Sequence, residues 1–372
     1  MSAGSQSGVM HLISSLNVGG AERLLVDLAI ELSRKGCRNQ LFVVLNAAYD
    51  EAMVAALRVS GFPVVLVERP PGHKHPKYLG QLLGLVREHG IKTIHAHNIG
   101  SKFWATLAKL LAKDLKLVVT VHNTGIVPSM GLVHRWLHST MVDMTVAVSG
   151  AVLRECHVGG LKSCVLVHNG IDVARFHRPD RIKVLEGDQA RIVCVGRYLP
   201  QQKGQDVLIE ASAMLHEAGY GLKIDLVGPR TTKTRQGRQQ LAEMVSRTGL
   251  QDMIGFVEGR SDMPEIFAQA DMAVLPSRHE GFGLVIVEAM AAGLPVVSTA
   301  VDGPAEIITH EQNGILVPPG DAAALADAIR SLLDSPDRAR VMAEAGRKRA
   351  QDFSIERMVH EYQKIYQRLG AC

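Results

Sequence analysis

Short apolar runs alternate with amphipathic stretches along the first half of the chain. Strands are predicted at residues 9–15, 40–45, 64–67, 93–97, 118–122 and 145–149, where β-branched residues are frequent. Between them, apolar residues recur at helical spacing, most clearly in residues 21–35, 79–88 and 102–113. This alternation predicts βαβ units and a parallel sheet with helices on both faces.

The same rhythm returns in the second half, after a polar stretch at residues 173–190 that we interpret as a linker. Strands are predicted at residues 191–196, 223–228, 255–258, 272–276 and 295–298, with a helix at 205–217. The predicted fold is α/β, with two Rossmann-like, doubly wound domains at residues 1–178 and 179–352. A last helix, at residues 353–372, is expected to pack back on the first domain. Such sheets bind ligands at the carboxyl ends of their strands, so the cleft between the domains is the expected site.

Length and composition agree with a two-domain globular protein. The chain has 372 residues, more than a single core usually supports, with 47% hydrophobic and 21% charged residues. No run of 18 uncharged apolar residues occurs, and the N-terminus lacks a secretion signal. The five cysteines are scattered without a CxxC pair, so neither a disulfide framework nor a zinc site is expected. We therefore expect a soluble, cytoplasmic protein.

Two loops that follow predicted strands suit phosphate groups. Gly19 and Gly20 open the first helix, where free N–H groups and the helix dipole favour an anion, although a tight turn without a ligand also explains them. They lack the GxGxxG spacing of a nicotinamide site. Arg197 and Lys203 lie on the loop after the first strand of the second domain, and two cations suit a diphosphate. A solvated loop with incidental charges is the alternative.

The most informative segment contains two glutamates eight positions apart. Glu280 lies in a glycine-rich loop, and Glu288 lies in an otherwise apolar helix, where an unpaired buried carboxylate would cost several kcal/mol. A ribose diol is a suitable partner for Glu288, because a carboxylate accepts from both hydroxyls. The N–H groups of Gly283 and Leu284, at the helix start, suit an oxyanion or a sugar hydroxyl.

Histidines end two strands of the first domain. His95 and His97 end one strand, and His122 ends another. A His-Ala-His pair suggests a metal, but no carboxylate or cysteine at credible spacing completes a ligand set. No metal is therefore expected.

Four motifs occur in a characteristic order along nearly the whole chain. They are residues 19–23 (Gly-Gly-Ala-Glu-Arg), residues 167–172 (Val-His-Asn-Gly-Ile-Asp), Gly196-Arg197 with Lys203-Gly204, and Glu280 with Glu288 around Gly-Phe-Gly. This set resembles the retaining GT-B glycosyltransferases of sequence family four, the group 1 glycosyl transferases. The resemblance implies a GT-B fold and metal-independent, retaining transfer of a hexose or N-acetylhexosamine from a nucleotide sugar, with UDP favoured.

The resemblance also implies roles for individual residues. It assigns the donor to Gly20, Arg197, Lys203 and Glu288, and catalysis to His122 and Glu280. We add Gly283 and Leu284 to the donor site because of their position at the helix start. We assign the acceptor to His97 and Asn98. The expected mechanism is front-face attack, in which the leaving phosphate takes the acceptor proton and no enzymic nucleophile is needed. Gln202 stands where the family has an acidic residue, and residues 302–306 depart from its GGxPE pattern, which leaves the sugar and the base open.

Other functions remain open at this point. A GT-B nucleotide-sugar epimerase shares the architecture, and a catalytically silent nucleotide-sugar-binding protein would keep Glu288 and Lys203. The acceptor is expected to be a glycan, either lipid-linked or part of a cell-surface polysaccharide, with a small soluble metabolite as the alternative. No nucleic acid partner is expected.

One helix suggests a membrane surface. Residues 1–179 contain 19 Lys and Arg against 11 Asp and Glu, whereas residues 180–372 contain 22 against 26. Within residues 102–116, four lysines (Lys102, Lys109, Lys113 and Lys116) are predicted to share one face, and Phe103, Trp104, Leu107, Leu110 and Leu111 the other. One interpretation is an ordinary helix with its apolar side on the sheet. The other is a patch that docks on the anionic inner face of the plasma membrane.

Overall fold

The structure is a computed structural model that describes residues 7–17, 19–177, 189–229, 231–232, 234–258 and 262–372. The chain divides into two compact units, one formed by Met1–Gly170 with Ile355–Cys372 and the other by Ile171–Ser354. The predicted linker at 173–190 is partly outside the described residues, as is the predicted domain boundary at 178/179. Among the described residues, no helix is long and apolar enough to cross a membrane.

The first unit contains a seven-stranded parallel sheet. Its strands are β1 (Gly8–Ile13), β2 (Gln40–Asn46), β3 (Val64–Arg69), β4 (Ile91–Ala96), β5 (Lys116–Val121), β6 (Met144–Ala147) and β7 (Cys164–Leu166). The helices between them are α1 (Gly20–Arg34), α2 (Glu51–Val59), α3 (Lys77–Glu88), α4 (Ile99–Leu111), α5 (Leu132–Met141) and α6 (Gly150–Val158). The strand order is β3-β2-β1-β4-β5-β6-β7, so the winding direction reverses between β1 and β4.

The sheet is buried on both faces, as its near-continuous apolar strands predict. All six residues of β1 and all seven of β2 are buried. On one face, α3 and α4 pack with Tyr78, Leu82, Trp104 and Ala108 into a core that includes Met10. Helix α1 follows the same amphipathic pattern and buries apolar residues that include Leu25, Leu28 and Leu32.

The second unit repeats this architecture around a six-stranded parallel sheet of order β10-β9-β8-β11-β12-β13. Its strands are β8 (Ala190–Val195), β9 (Leu222–Gly228), β10 (Ile254–Glu258), β11 (Met272–Leu275), β12 (Val296–Thr299) and β13 (Ile315–Val317). Its helices are α7 (Val173–Phe176), α8 (Pro200–Lys203), α9 (Gln205–Glu217), α10 (Arg235–Arg247), α11 (Met263–Gln269), α12 (Leu284–Ala291), α13 (Pro304–Ile307), α14 (Ala322–Leu333) and α15 (Pro336–Ala350), followed by a 3₁₀ turn (Gln351–Phe353). The two Rossmann-like folds confirm the predicted fold class.

The last helix, α16 (Ile355–Arg368), belongs to the first unit and packs beside α1. Its Tyr362 and Tyr366 are buried against the sheet, and Gln363 donates to the Lys35 carbonyl at 3.0 Å. This packing brings the chain end to the turn after α1, where Cys37 and Cys372 form a disulfide with Cα atoms 4.8 Å apart. The expectation that no disulfide framework occurs did not foresee this single bond, because 335 residues separate the two cysteines and the return of α16 brings them together.

Candidate functional site

The winding of the second sheet reverses between β8 and β11, so the loops that leave these two strands meet at the carboxyl edge. The loop after β8 carries Gly196, Arg197 and Lys203, and the loop after β11 carries Glu280. Lys203 Nζ donates to Glu280 Oε2 in an ion pair whose two side chains are both largely buried. The structure therefore brings together the two residues that the sequence predicts for a diphosphate and for a sugar.

Glycine is needed where the two loops touch. Gly204 adopts φ 65°, and a Cβ there would overlap the carbonyl oxygen of Pro276, which directly follows β11. A Cβ at Gly303 would likewise overlap the backbone of Phe282, beside the Glu280 loop. These close approaches hold Lys203 and Glu280 on rigid, tightly packed backbone.

A second ion pair fastens the same loops and was not predicted from the sequence. Both terminal nitrogens of Arg278 donate to the carboxylate of Asp206 on α9, each at 2.8 Å, and Nη1 also donates to the Pro200 carbonyl. The backbone N–H of Arg278 donates to the Gln202 carbonyl at 2.8 Å. Asp206 raises the pKa of the Arg278 guanidinium, so this pair stays charged. It thus holds Gln202, the neighbour of Lys203, against the start of the Glu280 loop.

Helix α12 presents one open face. Gly283 caps its N-terminus with φ 98°, a conformation that favours glycine. Leu284, Val285 and Glu288 are half-buried, whereas the remaining residues of the helix are buried. The spacing of these three places Glu288 one turn after Leu284 on the same face. The predicted ribose ligand Glu288 and the predicted N–H donor Leu284 therefore share the accessible side of one helix, whereas Gly283 is buried.

Arg197 differs from Lys203 in its surroundings. Its side chain is exposed, and its guanidinium forms no hydrogen bond or ion pair with the residues that the structure describes. Its carbonyl accepts from Gln205 at 2.9 Å, which ties the loop to α9. The loop that carries Arg197 is thus anchored to α9, and the guanidinium N–H groups of Arg197 are available to a ligand.

In the first unit, the loops after β1 and β4 meet at the corresponding reversal point. Gly20 begins α1 and is exposed, and Gly19 before it is extended with φ −172°. Asn98 caps α4, accepting from the N–H of Ser101 at 2.9 Å and from Ser14 at 2.7 Å. The Asn98 side chain therefore has a structural role as a cap, and its assignment to the acceptor stays a prediction.

His97 lies in a group of buried histidines that the sequence did not connect. Its Nε2 lies 3.4 Å from Nδ1 of His11, whose other nitrogen pairs with Gln40 at 2.8 Å. His97 is only 5% exposed, which leaves little surface for an acceptor. Burial lowers the pKa of His11 to about 4 and that of His97 well below its usual range, so both rings are neutral at pH 7.

His95 is held by hydroxyl groups. Its Nδ1 pairs with Tyr366 of α16 at 2.6 Å and its Nε2 with Thr120 of β5 at 2.7 Å. One nitrogen of each of His11, His95 and His97 lies within 4.8 Å of the others, a grouping that could hold a metal ion. Both His95 nitrogens already have hydroxyl partners, so such an ion would have to displace one of them. The expectation of metal independence stays a prediction.

His122 ends β5 beside this group, with its ring centre 6.3 Å from that of His97. The residue is half-buried, and its Nδ1 is buried without a partner among the described residues. Burial lowers the pKa of His122 to about 4. A neutral imidazole with an uncommitted nitrogen can donate to or accept from a hydroxyl group.

The lysines of α4 do not form the predicted solvent-facing row. Lys102 Nζ pairs with Nδ1 of His138 at 2.7 Å, and Lys109 pairs with Asp143. Burial lowers the pKa of Lys102 to about 8 and, with Lys102 beside it, lowers that of His138 to about 3. The prediction of a four-lysine face is wrong because three of its members have partners within the first unit: Lys102 pairs with His138 of α5, and Lys109 and Lys116 pair with Asp143.

The predicted apolar face of α4 is also wrong in part. Trp104 is buried in the core, whereas Phe103, Leu110 and Leu111 are exposed. The helix thus exposes apolar side chains, while its two lysines are partly buried.

Two family models match the chain. The model described as "Glycosyltransferase Family 4" matches residues 18–175, and the model described as "Glycosyl transferases group 1" matches residues 178–349. The two matches follow the two units of the structure closely.

Known proteins show the same similarity. An N-acetyl-alpha-D-glucosaminyl L-malate synthase of Bacillus anthracis is 25% identical over 374 residues, covering 94% of this chain and 94% of the relative. A glycogen synthase of Mycobacterium tuberculosis is 30% identical over 311 residues, covering 76% of this chain and 70% of the relative. Anabaena HepE, solved in complex with UDP and glucose, shares the fold with a TM-score of 0.83 at 23% identity, covering 96% of this chain and 99% of that one.

Proposed function

Since the chain belongs to the group 1 glycosyl transferases and has their GT-B architecture, we propose that it transfers a hexose or N-acetylhexosamine from a UDP-sugar to a glycan acceptor with retention of anomeric configuration. The observation that carries this proposal is the ion pair between Lys203 and Glu280. A nucleotide sugar joins its diphosphate directly to the sugar, so the protein groups for these two parts must be neighbours.

The geometry of the second unit supports the proposed donor roles. Lys203 and Arg197 bind the diphosphate and stabilise the charge that develops on it as the glycosidic bond breaks. Glu280 accepts from hydroxyls of the transferred sugar. Glu288, on the open face of α12, accepts from the ribose hydroxyls, and the N–H groups of Gly283 and Leu284 meet an oxygen of the donor. With two cations in place, we expect no metal ion to be required.

The first unit supplies His122. Its ring is half-buried and neutral, which suits a hydrogen bond from its accessible side to a hydroxyl of the transferred sugar. In the proposed step, the bond from the anomeric carbon to the diphosphate oxygen breaks, and a bond to the acceptor oxygen forms on the same face. The acceptor proton passes to the leaving diphosphate, so no protein carboxylate acts as nucleophile.

The names of similar proteins support the proposed substrates. HepE binds UDP and glucose, the Bacillus anthracis relative is named for an N-acetylglucosaminyl product, and the Mycobacterium tuberculosis relative for glycogen. These names favour UDP and a hexose-type sugar. We propose a glycan acceptor, carried on a lipid or on a cell-surface polysaccharide.

A donor panel with purified protein tests the proposal without knowledge of the acceptor. We expect slow hydrolysis of at least one UDP-hexose or UDP-N-acetylhexosamine, detected as released UDP, and no hydrolysis of GDP-sugars. Release of the epimeric sugar nucleotide instead of UDP would identify an epimerase. Tight UDP-sugar binding with neither product, even with glycan acceptors present, would identify a binding protein.

A further inference from the structure

Helix α5 exposes large apolar side chains that the described fold does not use. Leu132, Val133 and Trp136 are 82%, 68% and 65% exposed, and their spacing places them on one face of the helix. Helix α4 exposes Ile99, Phe103, Leu110 and Leu111. We call these seven residues the α4–α5 ridge.

The two halves of the ridge are neighbours. The bond between Lys102 of α4 and His138 of α5 joins the helices, and His138 Nε2 is fixed in turn by Thr145 of β6 at 2.7 Å. Both helices begin after adjacent strands of the same sheet. The ridge therefore lies on two neighbouring helices that are fixed to the sheet of the first unit.

The number of exposed apolar side chains on these two helices indicates an interaction site. Single exposed apolar residues are ordinary on a protein surface, but a cluster that contains an exposed Trp and Phe marks an interaction site. Trp is favoured where one side of a surface is apolar and the other wet, as at the boundary of a lipid bilayer.

The charges around the ridge are positive. Residues 99–141 contain five Lys and Arg and a single acidic residue, Asp114. Lys113 at the end of α4 is exposed, and the neighbouring loop adds Lys74, whose Nζ lies 5.5 Å from the centre of the Phe103 ring, and exposed Lys77. A second copy of this chain would bring the same positive surface against itself, which opposes a dimer through this face.

We propose that the α4–α5 ridge docks on the surface of an anionic lipid bilayer. The apolar side chains enter the boundary between headgroups and acyl chains, and Lys74, Lys77 and Lys113 lie at the lipid phosphates. Lys102 and Lys109 take no part, because their charges are used inside the first unit. Docking is inferred from the first unit alone and does not depend on which sugar the enzyme transfers.

The chain contains two tryptophans, and this makes docking directly observable. Trp104 is buried, so a change of fluorescence on lipid reports Trp136. We expect full-length protein to sediment with vesicles rich in phosphatidylglycerol but not with phosphatidylcholine vesicles, more strongly at low salt, with a blue shift that Trp136→Phe abolishes. No binding to anionic vesicles, or binding without any change at Trp136, would overturn the proposal.

Matched variants distinguish vesicle binding through the α4–α5 ridge from non-specific binding. Leu132→Ser with Trp136→Ser should weaken vesicle binding more than tenfold, and Lys74→Gln with Lys113→Gln should weaken it by about fivefold per lysine at low salt. Val59→Ser is the control, since Val59 is 89% exposed on α2 outside the ridge. Equal binding of ridge and control variants would refute docking through this face. UDP-sugar hydrolysis in lipid-free buffer should be unchanged in all of them, so failure of docking is distinguishable from failure of the proposed function.

Discussion

The pair formed by Arg278 and Asp206 offers a sharp test of how the donor site is held. Asp206→Asn keeps the size of the side chain and removes the charge that the guanidinium meets with two bonds of 2.8 Å. A buried charge-assisted hydrogen bond contributes about 1.5–3 kcal/mol. Arg278 and Asp206 are 29% and 24% exposed, however, and exposed pairs contribute about 0–1 kcal/mol. We therefore expect a loss of about 1–2 kcal/mol in local stability.

The effect on turnover should be larger than this loss suggests. Arg278 holds the Gln202 carbonyl beside Lys203, and a misplacement of about 1 Å in a catalytic group can cost about 10²-fold in rate. Asp206→Asn should therefore lower kcat for UDP-sugar hydrolysis by about 10–100-fold, measured as released UDP under saturating donor. UDP affinity should fall less than turnover does, because Glu288 keeps its ribose contact while a displaced Lys203 weakens the contact with the diphosphate.

A matched control lies in the same unit. Arg191 and Asp225 form an ion pair of 3.1 Å between β8 and β9. Asp225→Asn should cost similar stability and leave kcat close to that of the parent protein. If Asp206→Asn and Asp225→Asn lower kcat equally, or if Asp206→Asn keeps full turnover in a folded protein, the positioning role of Arg278 is refuted.

Three further outcomes are expected. Lys203→Ala should lower turnover by about 10²-fold or more, the scale of losing one charged partner in the transition state, and near-parental activity would show that the phosphate site is misplaced. Activity should survive excess EDTA; a loss that magnesium or manganese restores would refute metal independence. The first unit should lose stability in mild acid. Burial lowers the pKa of His11 from 6.5 to about 4, so the unfolded chain takes up the proton first, and the stabilisation is complete above pH 6.5 and disappears towards pH 4. Between pH 7 and 5 this amounts to about 2 kcal/mol for His11 alone. Urea unfolding followed by Trp fluorescence reports the free energy of unfolding of the first unit, which contains both tryptophans. The His11→Gln variant should show a weaker dependence of this free energy on pH. An unchanged dependence would contradict the role assigned to His11.

Local patterns were enough to predict the fold and to place the candidate donor residues on loops that follow strands. Alternation of apolar runs with helical periodicity predicts βαβ units because the central strands of each sheet are buried on both faces. Glu288 stands out in an apolar helix, and the structure indeed leaves it on the open face of α12. Glycines at 204 and 283 mark the backbone positions with positive φ.

Features that depend on distant residues could not be predicted. The disulfide of Cys37 and Cys372 exists only because α16 returns to α1. His11 joins the other histidines because β1 and β4 are neighbours in the sheet, although 84 residues separate it from His95. The lysines of α4 were misassigned for the same reason, since helical spacing does not reveal that Asp143 and His138 lie beneath them.

The most direct test of the proposed donor site compares the roles of Glu280 and Glu288, one in turnover and the other in UDP binding. Calorimetric titration with UDP and single-turnover transfer should be measured for Glu280→Gln, Glu288→Ala and the control Glu217→Gln, an exposed residue at the far end of α9. Glu280→Gln should bind UDP within a few-fold of the parent and nearly abolish turnover, because its contact is with the moving sugar. Glu288→Ala should weaken UDP binding by about 1–3 kcal/mol. Equal loss of UDP affinity in Glu280→Gln, or unchanged affinity in a folded Glu288→Ala protein, would contradict the assignment.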